Sequence, residues 1–459
     1  MKSIIKNTLL LMLAVALLGC SLDEIVNPNA PTLGSFEEGA TQKDLNLLTT
    51  GLEAVIRNDL GFHYQTVSIL GREYYDLTQV DPRYTGELLK GPLDNNGFLT
   101  TRSYAAWYKV VQSANLLLTA TDNSATTLSD EALDGYRGYA QTMKAYALLM
   151  VANRQYSNGI RVDVSDPDNM GVFVSYNEAL TAIGQLLNDA NVQLLNAASE
   201  FVDDPATPTV DESIGSFDFP LGMGFDNPGS FSEFNRAIAA RTAIYQGDKA
   251  GALSLLSDSF MDEGLSFDYG PTHIFGLTGN DIANPLFYIP NQDRYMAHDS
   301  FVADAEQPSD NRLNKVALFD PADDPDLGFI TVTFDDLSAD YQVVQYVSNV
   351  DPVPIIRNEE LLLIYAEANI GTDNTEALRV LNIIRAAAGL GTSTANIAID
   401  NEVEDELLMQ RRYSLFGEGH RWIDLRRFDR MDEIPLDRAG DNALDAFPTP
   451  FAENDLLGG

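Results

Sequence analysis

The chain has 459 residues, 45% of them hydrophobic, enough for a sizeable core in two or three ordinary domains or in one large repeat-built body. Its 68 acidic residues against 29 basic ones give a net charge of −39. That balance argues against nucleic acid, whose phosphates require Lys and Arg, and against electrostatic adsorption to anionic lipid. Only eight of the basic residues are lysines, and an acidic, lysine-poor surface suits solubility in high salt.

Lys2 and Lys6 open the chain ahead of an apolar run, Leu9 to Leu18, too short to span a bilayer as a mature helix. The run ends in Leu17-Leu18-Gly19-Cys20, the pattern of a bacterial lipobox. Cys20 is the only cysteine, so no internal disulfide can form. Removal of a signal peptide over 1–19 and lipidation of Cys20 would account for that thiol, and several acyl chains together anchor stably. The plainer alternative is a cleaved signal with an unrelated cysteine. Residues 20–40 have tether composition, with Asn27-Pro28-Asn29-Ala30-Pro31 at their centre.

From 41 to 459 the chain reads as one helical domain. Leu45, Leu48, Leu52, Val55 and Ile56 mark a first amphipathic helix, and a second is expected over Thr66 to Leu77. Residues 81–100 break the pattern with Gly, Pro and Asn and read as loop. Helix returns where Tyr104, Trp107, Val111 and Ala114 share a face, then over Gly138 to Arg154 and Tyr176 to Leu195. Residues 201–229, rich in Asp, Pro and Gly, form an insertion. Residues 235–256 and 357–389 each read as a helical hairpin, with turns at Gly247-Asp248 and Gly371. Asp373 and Glu376 supply a capping-box-like start to the last of these helices. Such hairpins, close to the roughly 34 residues of a tetratricopeptide unit, cannot bury their own apolar faces and so stack on neighbours. Between them, 257–353 loses helical periodicity; Ile330 to Phe334 and Tyr341 to Val347 have the β-branched and aromatic content of strands. The expected fold is mainly α, with tetratricopeptide-like hairpins stacked into one body and irregular loop-rich insertions carrying a few short strands.

No catalytic constellation stands out. The four histidines, His63, His273, His298 and His420, lack metal-ligand spacing, and no metalloprotease, phosphate-loop or nucleophile-elbow motif occurs. With 68 carboxylates, chance acid pairs are abundant, so a glycosidase-like couple cannot be singled out. Asp166-Pro167-Asp168-Asn169 and the Asp320 to Asp326 stretch offer several oxygen ligands for calcium, though neither has EF-hand spacing, and in so acidic a chain such clusters are more often plain turn residues. No cofactor is expected otherwise.

The series Tyr365-Ala366-Glu367-Ala368, then Ala377-Leu378 with Leu381-Asn382 and Arg385, then residues 411–427, RRYSLFGEGHRWIDLRR, resembles the C-terminal signature of the SusD/RagB family. The chain departs from the usual pattern at Gln410-Arg411 and Ser414-Leu415. The resemblance, strongest over 357–430, implies a lipid-anchored outer-membrane protein facing the cell exterior. It implies a SusC-type TonB-dependent barrel as partner and a captured nutrient as ligand, a glycan or oligosaccharide first and a peptide second. It implies no enzymatic activity. The rivals are an anchored all-helical glycoside hydrolase and a repeat scaffold that binds only protein. Glu418, His420, Arg421, Trp422, Asp424 and Arg426 are expected to be structural, through packing and buried ion pairs.

Candidate ligand contacts are the aromatic and polar residues of the irregular segments, because sugar rings stack their C–H faces on aromatics while Asn, Asp and Arg take hydroxyls. In the first loop these are Tyr74, Tyr75, Arg83, Tyr84, Asn95, Asn96 and Phe98; in the second, Tyr288, Arg294 and Tyr295. Packing or turn support is the competing reading for each.

Overall fold

A computed structural model describes residues 39–124, 128–166, 168–198, 219–279, 281–321 and 328–455. The expected signal peptide, Cys20 and almost all of the tether lie outside the described residues, as do much of the 201–229 insertion, Pro167 and 322–326.

In chain order the helices are α1 (Gln42–Val55), α2 (Leu60–Leu70), α3 (Glu87–Lys90), α4 (Phe98–Asp122), α5 (Asp130–Gln155), α6 (Tyr176–Ala198), α7 (Pro228–Tyr245), α8 (Lys249–Ser257), α9 (Ser300–Ala303), α10 (Asn358–Asn369), α11 (Asn374–Ala387), α12 (Asp400–Ser414) and α13 (Arg421–Arg427). Local chemistry sets their starts. Thr41 and Asp44 form a capping box for α1, while Ser129, Asn227, Asp248 and Asp373 cap α5, α7, α8 and α11 with side-chain oxygens. Pro228 occupies the first turn of α7, where its missing N–H costs nothing. Gly371, at φ +85°, takes the left-handed position that ends α10.

The helices stack in an almost sequential series. α1 packs on α4, α4 on α5, α5 on α6, α6 on α7, and α7 on α8; α8 and α7 then meet α10, which pairs with α11 and α12. The two hairpins recognisable in the sequence, α7–α8 and α10–α11, are therefore neighbours, as stacked repeat units must be. Gly138 sets the closeness of α5 and α6: a Cβ there would lie 2.6 Å from Leu194 Cγ. A continuous core runs through most of the molecule, and a second apolar cluster, centred on Leu362, Leu363, Leu381, Val403 and Leu407, joins α10, α11 and α12.

The junction of α7 and α10 is ionic. Arg241 donates from Nε and Nη2 to both oxygens of Glu360, at 2.6 and 2.5 Å, with both side chains buried. This planar two-point contact satisfies charges that would otherwise be costly to bury.

The insertion at 257–353 contributes most of an antiparallel four-stranded sheet. Strands β1 (Tyr74–Asp76), β2 (Tyr295–Ala297), β3 (Val316–Leu318) and β4 (Tyr341–Val343) lie in the spatial order β1-β2-β4-β3, with Tyr74 opposite Ala297 and Asp76 opposite Tyr295. Residues 332–334 pair with 337–339 across Asp335 and Asp336, both at positive φ as a tight two-residue hairpin turn requires. The expected helix over Thr66 to Leu77 is corrected: helix spans Leu60–Leu70, then Arg72 adopts φ +53° and Tyr74–Asp76 leave as a sheet strand. Sheet pairing outweighs helical spacing there. Strand structure also covers less of 330–334 and 341–347 than their composition predicts. No helix among the described residues is long and apolar enough to cross a membrane.

Candidate functional site

Pairing of β1 with β2 brings together two groups of candidates that lie about 200 residues apart in sequence. At their meeting point Phe98, the first residue of α4, holds Tyr84 at a 5.8 Å ring separation and Phe62 of α2 at 5.7 Å. Tyr84 meets Phe62 edge-on at 6.4 Å. Phe62 is buried, while Tyr84 and Phe98 are half-buried, so the cluster has a core side and a solvent side. Two guanidinium groups edge it. Arg83 lies 4.3 Å over the Phe98 ring, held by the Asp81 carboxylate, to which it donates from Nε and Nη2 at 2.9 and 2.6 Å. Arg102, one turn along α4 from Phe98, lies 4.7 Å over Phe62 and pairs with Asp59 at 2.6 Å. The side chains of Arg83 and Arg102 are 44% and 50% exposed, which leaves both with donors for a ligand.

Tyr295 lies on β2, half-buried. Its ring stacks on Tyr288 at 4.0 Å and 17°, and Gln65 donates to the Tyr288 hydroxyl at 3.2 Å. Burial pushes the Tyr295 hydroxyl's pKa up, and the charges of Asp76, Tyr288, Tyr84 and Asp293 add to the shift through space. It remains a neutral donor at physiological pH. Asp76, whose own pKa burial raises, is held by the Thr78 N–H at 2.9 Å and the Thr78 hydroxyl at 2.5 Å. Arg294 is half-buried and carries no ion pair among the described residues; its carbonyl accepts from Leu77. Asn96 is exposed on the turn that opens α4, while Asn95 is half-buried and its carbonyl accepts from Phe451.

Three candidates are corrected to core positions. Tyr74, Tyr75 and Tyr288 are 1%, 2% and 4% exposed, so none offers a ring face to a ligand. Tyr74 packs among Tyr288 and Phe416, and Tyr75 donates to Asp437 while standing edge-on to His298. Tyr84, Phe98, Arg83 and Arg102 thus form a partly exposed aromatic and cationic patch, with Asn96 exposed on the neighbouring turn and Tyr295 half-buried on β2. Sequence reasoning missed Phe62 and Arg102. The signal for Arg102 was its i+4 spacing from Phe98; Phe62 belongs to another helix and left none.

Of the signature residues, His420, Trp422, Asp424 and Arg426 are buried, while Glu418 and Arg421 are half-buried. Trp422, 1% exposed, donates from Nε1 to the Leu444 carbonyl at 2.7 Å, stands edge-on to Phe447 and carries Arg426 4.6 Å over its ring. Arg426 donates to the Asn153 and Asp445 carbonyls. Asp424 accepts from Arg411 at 2.7 Å and Arg427 at 2.9 Å, and Arg411 is the main charge holding its pKa down against the opposing effect of burial. Glu418 accepts from Arg357 at 3.0 Å. Burial lowers the His420 pKa, so its 3.7 Å approach to Glu360 is a contact of a neutral imidazole. Trp107 is core as well: its Nε1 donates to His63 Nδ1 at 3.1 Å, and burial depresses the His63 pKa to about 3. A cavity of about 30 Å³ among His63, Arg241, His420 and Trp422 has room for little more than water. Among the described residues no cluster of three or more His, Cys, Asp or Glu is arranged to hold a metal ion, and Asp166 is engaged in a turn with the Asp168 N–H.

Nearly the whole chain resembles solved structures in fold: a surface glycan-binding protein A from Bacteroides thetaiotaomicron aligns with TM-score 0.67 over 92% of this chain and 98% of that one, at 15% identity. A SusD superfamily protein from Bacteroides vulgatus aligns with TM-score 0.61 over 90% and 97%, at 17% identity. In sequence, residues 327–449 match the SusD family. The SusD-like protein P38 of Formosa agariphila is 38% identical over 104 residues, a match spanning about a fifth of each chain (20% of this one and 21% of that one). The resemblance to the SusD/RagB family thus holds in sequence over the C-terminal region and in fold over the chain.

Proposed function

We propose that this protein is a lipid-anchored, outward-facing glycan-binding protein of the outer membrane. In this reading it holds an oligosaccharide without cleaving it and presents it to a SusC-type TonB-dependent barrel. The carrying observation is the half-buried aromatic pair of Tyr84 and Phe98, flanked by the exposed guanidinium groups of Arg83 and Arg102. Apolar sugar faces stack on such rings while guanidinium and amide donors take hydroxyls. Support comes also from the likeness in fold to the Bacteroides thetaiotaomicron glycan-binding protein, which is known in complex with laminarihexaose. Cys20 supplies the anchor, since stable attachment needs more than one acyl chain and a lipidated N-terminal cysteine carries several.

The test is a binding panel of laminarihexaose, starch oligosaccharides and peptide pools on the soluble form beginning at Ser21, with the bound material analysed by mass spectrometry. Saturable binding of intact oligosaccharide is expected. Shortened products would establish a hydrolase instead, and peptide binding without glycan binding would assign the other ligand class.

A further inference from the structure

On the face of the C-terminal region between α12 and α13 lies a cavity of about 240 Å³, lined by Arg412, Arg421 and Arg430 together with Leu408, Met409 and Leu425. Three carboxylates also border it, but each is engaged elsewhere. Asp424 is held by Arg411 and Arg427, and Asp405 and Glu433 are held by Arg430. Arg412 pairs with Asp304 at 2.9 Å and donates to Ser300. Arg421 differs from these neighbours. Among the described residues its side chain makes no ion pair or hydrogen bond, and its Nε is buried without a partner.

A partly buried guanidinium with five donors and no acceptor is costly to keep, and a second guanidinium facing the same space adds repulsion. Both features show in the protonation equilibrium: burial, then the Arg412 charge, lower the Arg421 pKa to about 10, while Glu73 and Glu433 oppose the shift only through space. An oxyanion in the cavity would remove both penalties by accepting from the two arginines at once. With a net charge of −39 the molecule as a whole repels anions, so affinity has to arise from these groups at contact. Leucine and methionine on the cavity wall provide an apolar surface for whatever carries the anionic group.

We infer that the cavity between α12 and α13 is a binding site for a carboxylate or sulfate group, free or borne on a sugar, held between Arg421 and Arg412. It is built from different residues than the aromatic patch and does not depend on the patch's role.

Calorimetric titration of the Ser21 form with sodium sulfate, acetate, glucuronate and glucose 6-sulfate, against chloride at matched ionic strength, tests this. At least one probe is expected to saturate a single site, and Arg421→Gln to weaken it tenfold or more. Arg421→Lys, which keeps the charge and the alkyl stem but loses the planar fork, is expected to fall between. Tyr84→Ala is expected to bind the anions as the wild type does, so failure of the glycan reading and failure of this one are distinguishable. Equal binding of sulfate and glucose 6-sulfate would identify a free ion as ligand; binding only of the sugar-borne groups would identify an acidic sugar. No saturation beyond chloride, or unchanged binding in folded Arg421→Gln, would overturn the inference.

Discussion

Two regions of this molecule are built from the same residue types and behave oppositely. Around Trp422, arginines lie over aromatic rings deep in the body, and Arg426, Arg411 and Arg427 each have carbonyl or carboxylate partners. Around Phe98, arginines again lie over aromatic rings, but at the surface, with half of each guanidinium side chain in solvent. Composition alone does not separate a structural cluster from a binding patch. Burial and the saturation of hydrogen-bonding capacity do, and on that criterion Arg421 stands out inside a region that is otherwise closed.

The comparison can be broken most forcefully through its ion pairs. Arg241→Met leaves Glu360 charged, buried and unpaired, and is expected to cost about 3–5 kcal/mol in urea unfolding. Arg83→Met at the patch removes an exposed partner of Asp81 and is expected to leave the urea midpoint nearly unchanged. Comparable losses at the two positions would contradict the contrast. The aromatic pair gives a similar test: Trp422→Ala is expected to destabilise by about 3–5 kcal/mol, and Phe98→Ala by clearly less because its ring is already partly solvated.

Glu73 lies between α2 and β1, just ahead of Tyr74, and accepts the Gly417 N–H at 3.0 Å. Burial raises its pKa to about 7, against the opposing effects of the Gly417 hydrogen bond and the Arg421 and Lys315 charges. A carboxyl group with a raised folded-state pKa binds its proton more tightly when folded. Its contribution to stability is therefore full below about pH 4.5 and is lost as pH rises through about 7. The loss is on the order of 3 kcal/mol. Glu73→Gln, which keeps the acceptor for Gly417, is expected to flatten the stability profile between pH 5 and 8 relative to the wild type. Parallel profiles would show that Glu73 does not carry the dependence.

The helical stack was legible because its signals are local. Capping residues such as Asp248 and Asp373, the turn at Gly371 and the apolar spacing of Leu361, Ile364 and Ala368 each act within a few residues, and the structure places helices accordingly. Tyr74 to Asp76 was misread because its strand partner is more than 200 residues distant, and no local pattern announces it. The same distance decided the site. Tyr74, Tyr75 and Tyr84 look alike in a loop sequence, yet pairing with β2 buries the first two and leaves Tyr84 half-buried beside Phe98. Arg421 was read with its neighbours as an ion-pairing residue; only the fold shows that the carboxylates lining its cavity, Asp405, Asp424 and Glu433, are each paired with other arginines.

The central claim is that the exposed aromatic patch, and not the buried signature, binds glycan. Its most direct test is titration of laminarihexaose into the wild type, Tyr84→Ala and Phe98→Ala, with unfolding midpoints measured in parallel. We expect saturable wild-type binding, at least about tenfold weaker in either variant, the equivalent of ~1.4 kcal/mol, with the fold intact. Wild-type affinity retained in both folded variants would contradict the assignment.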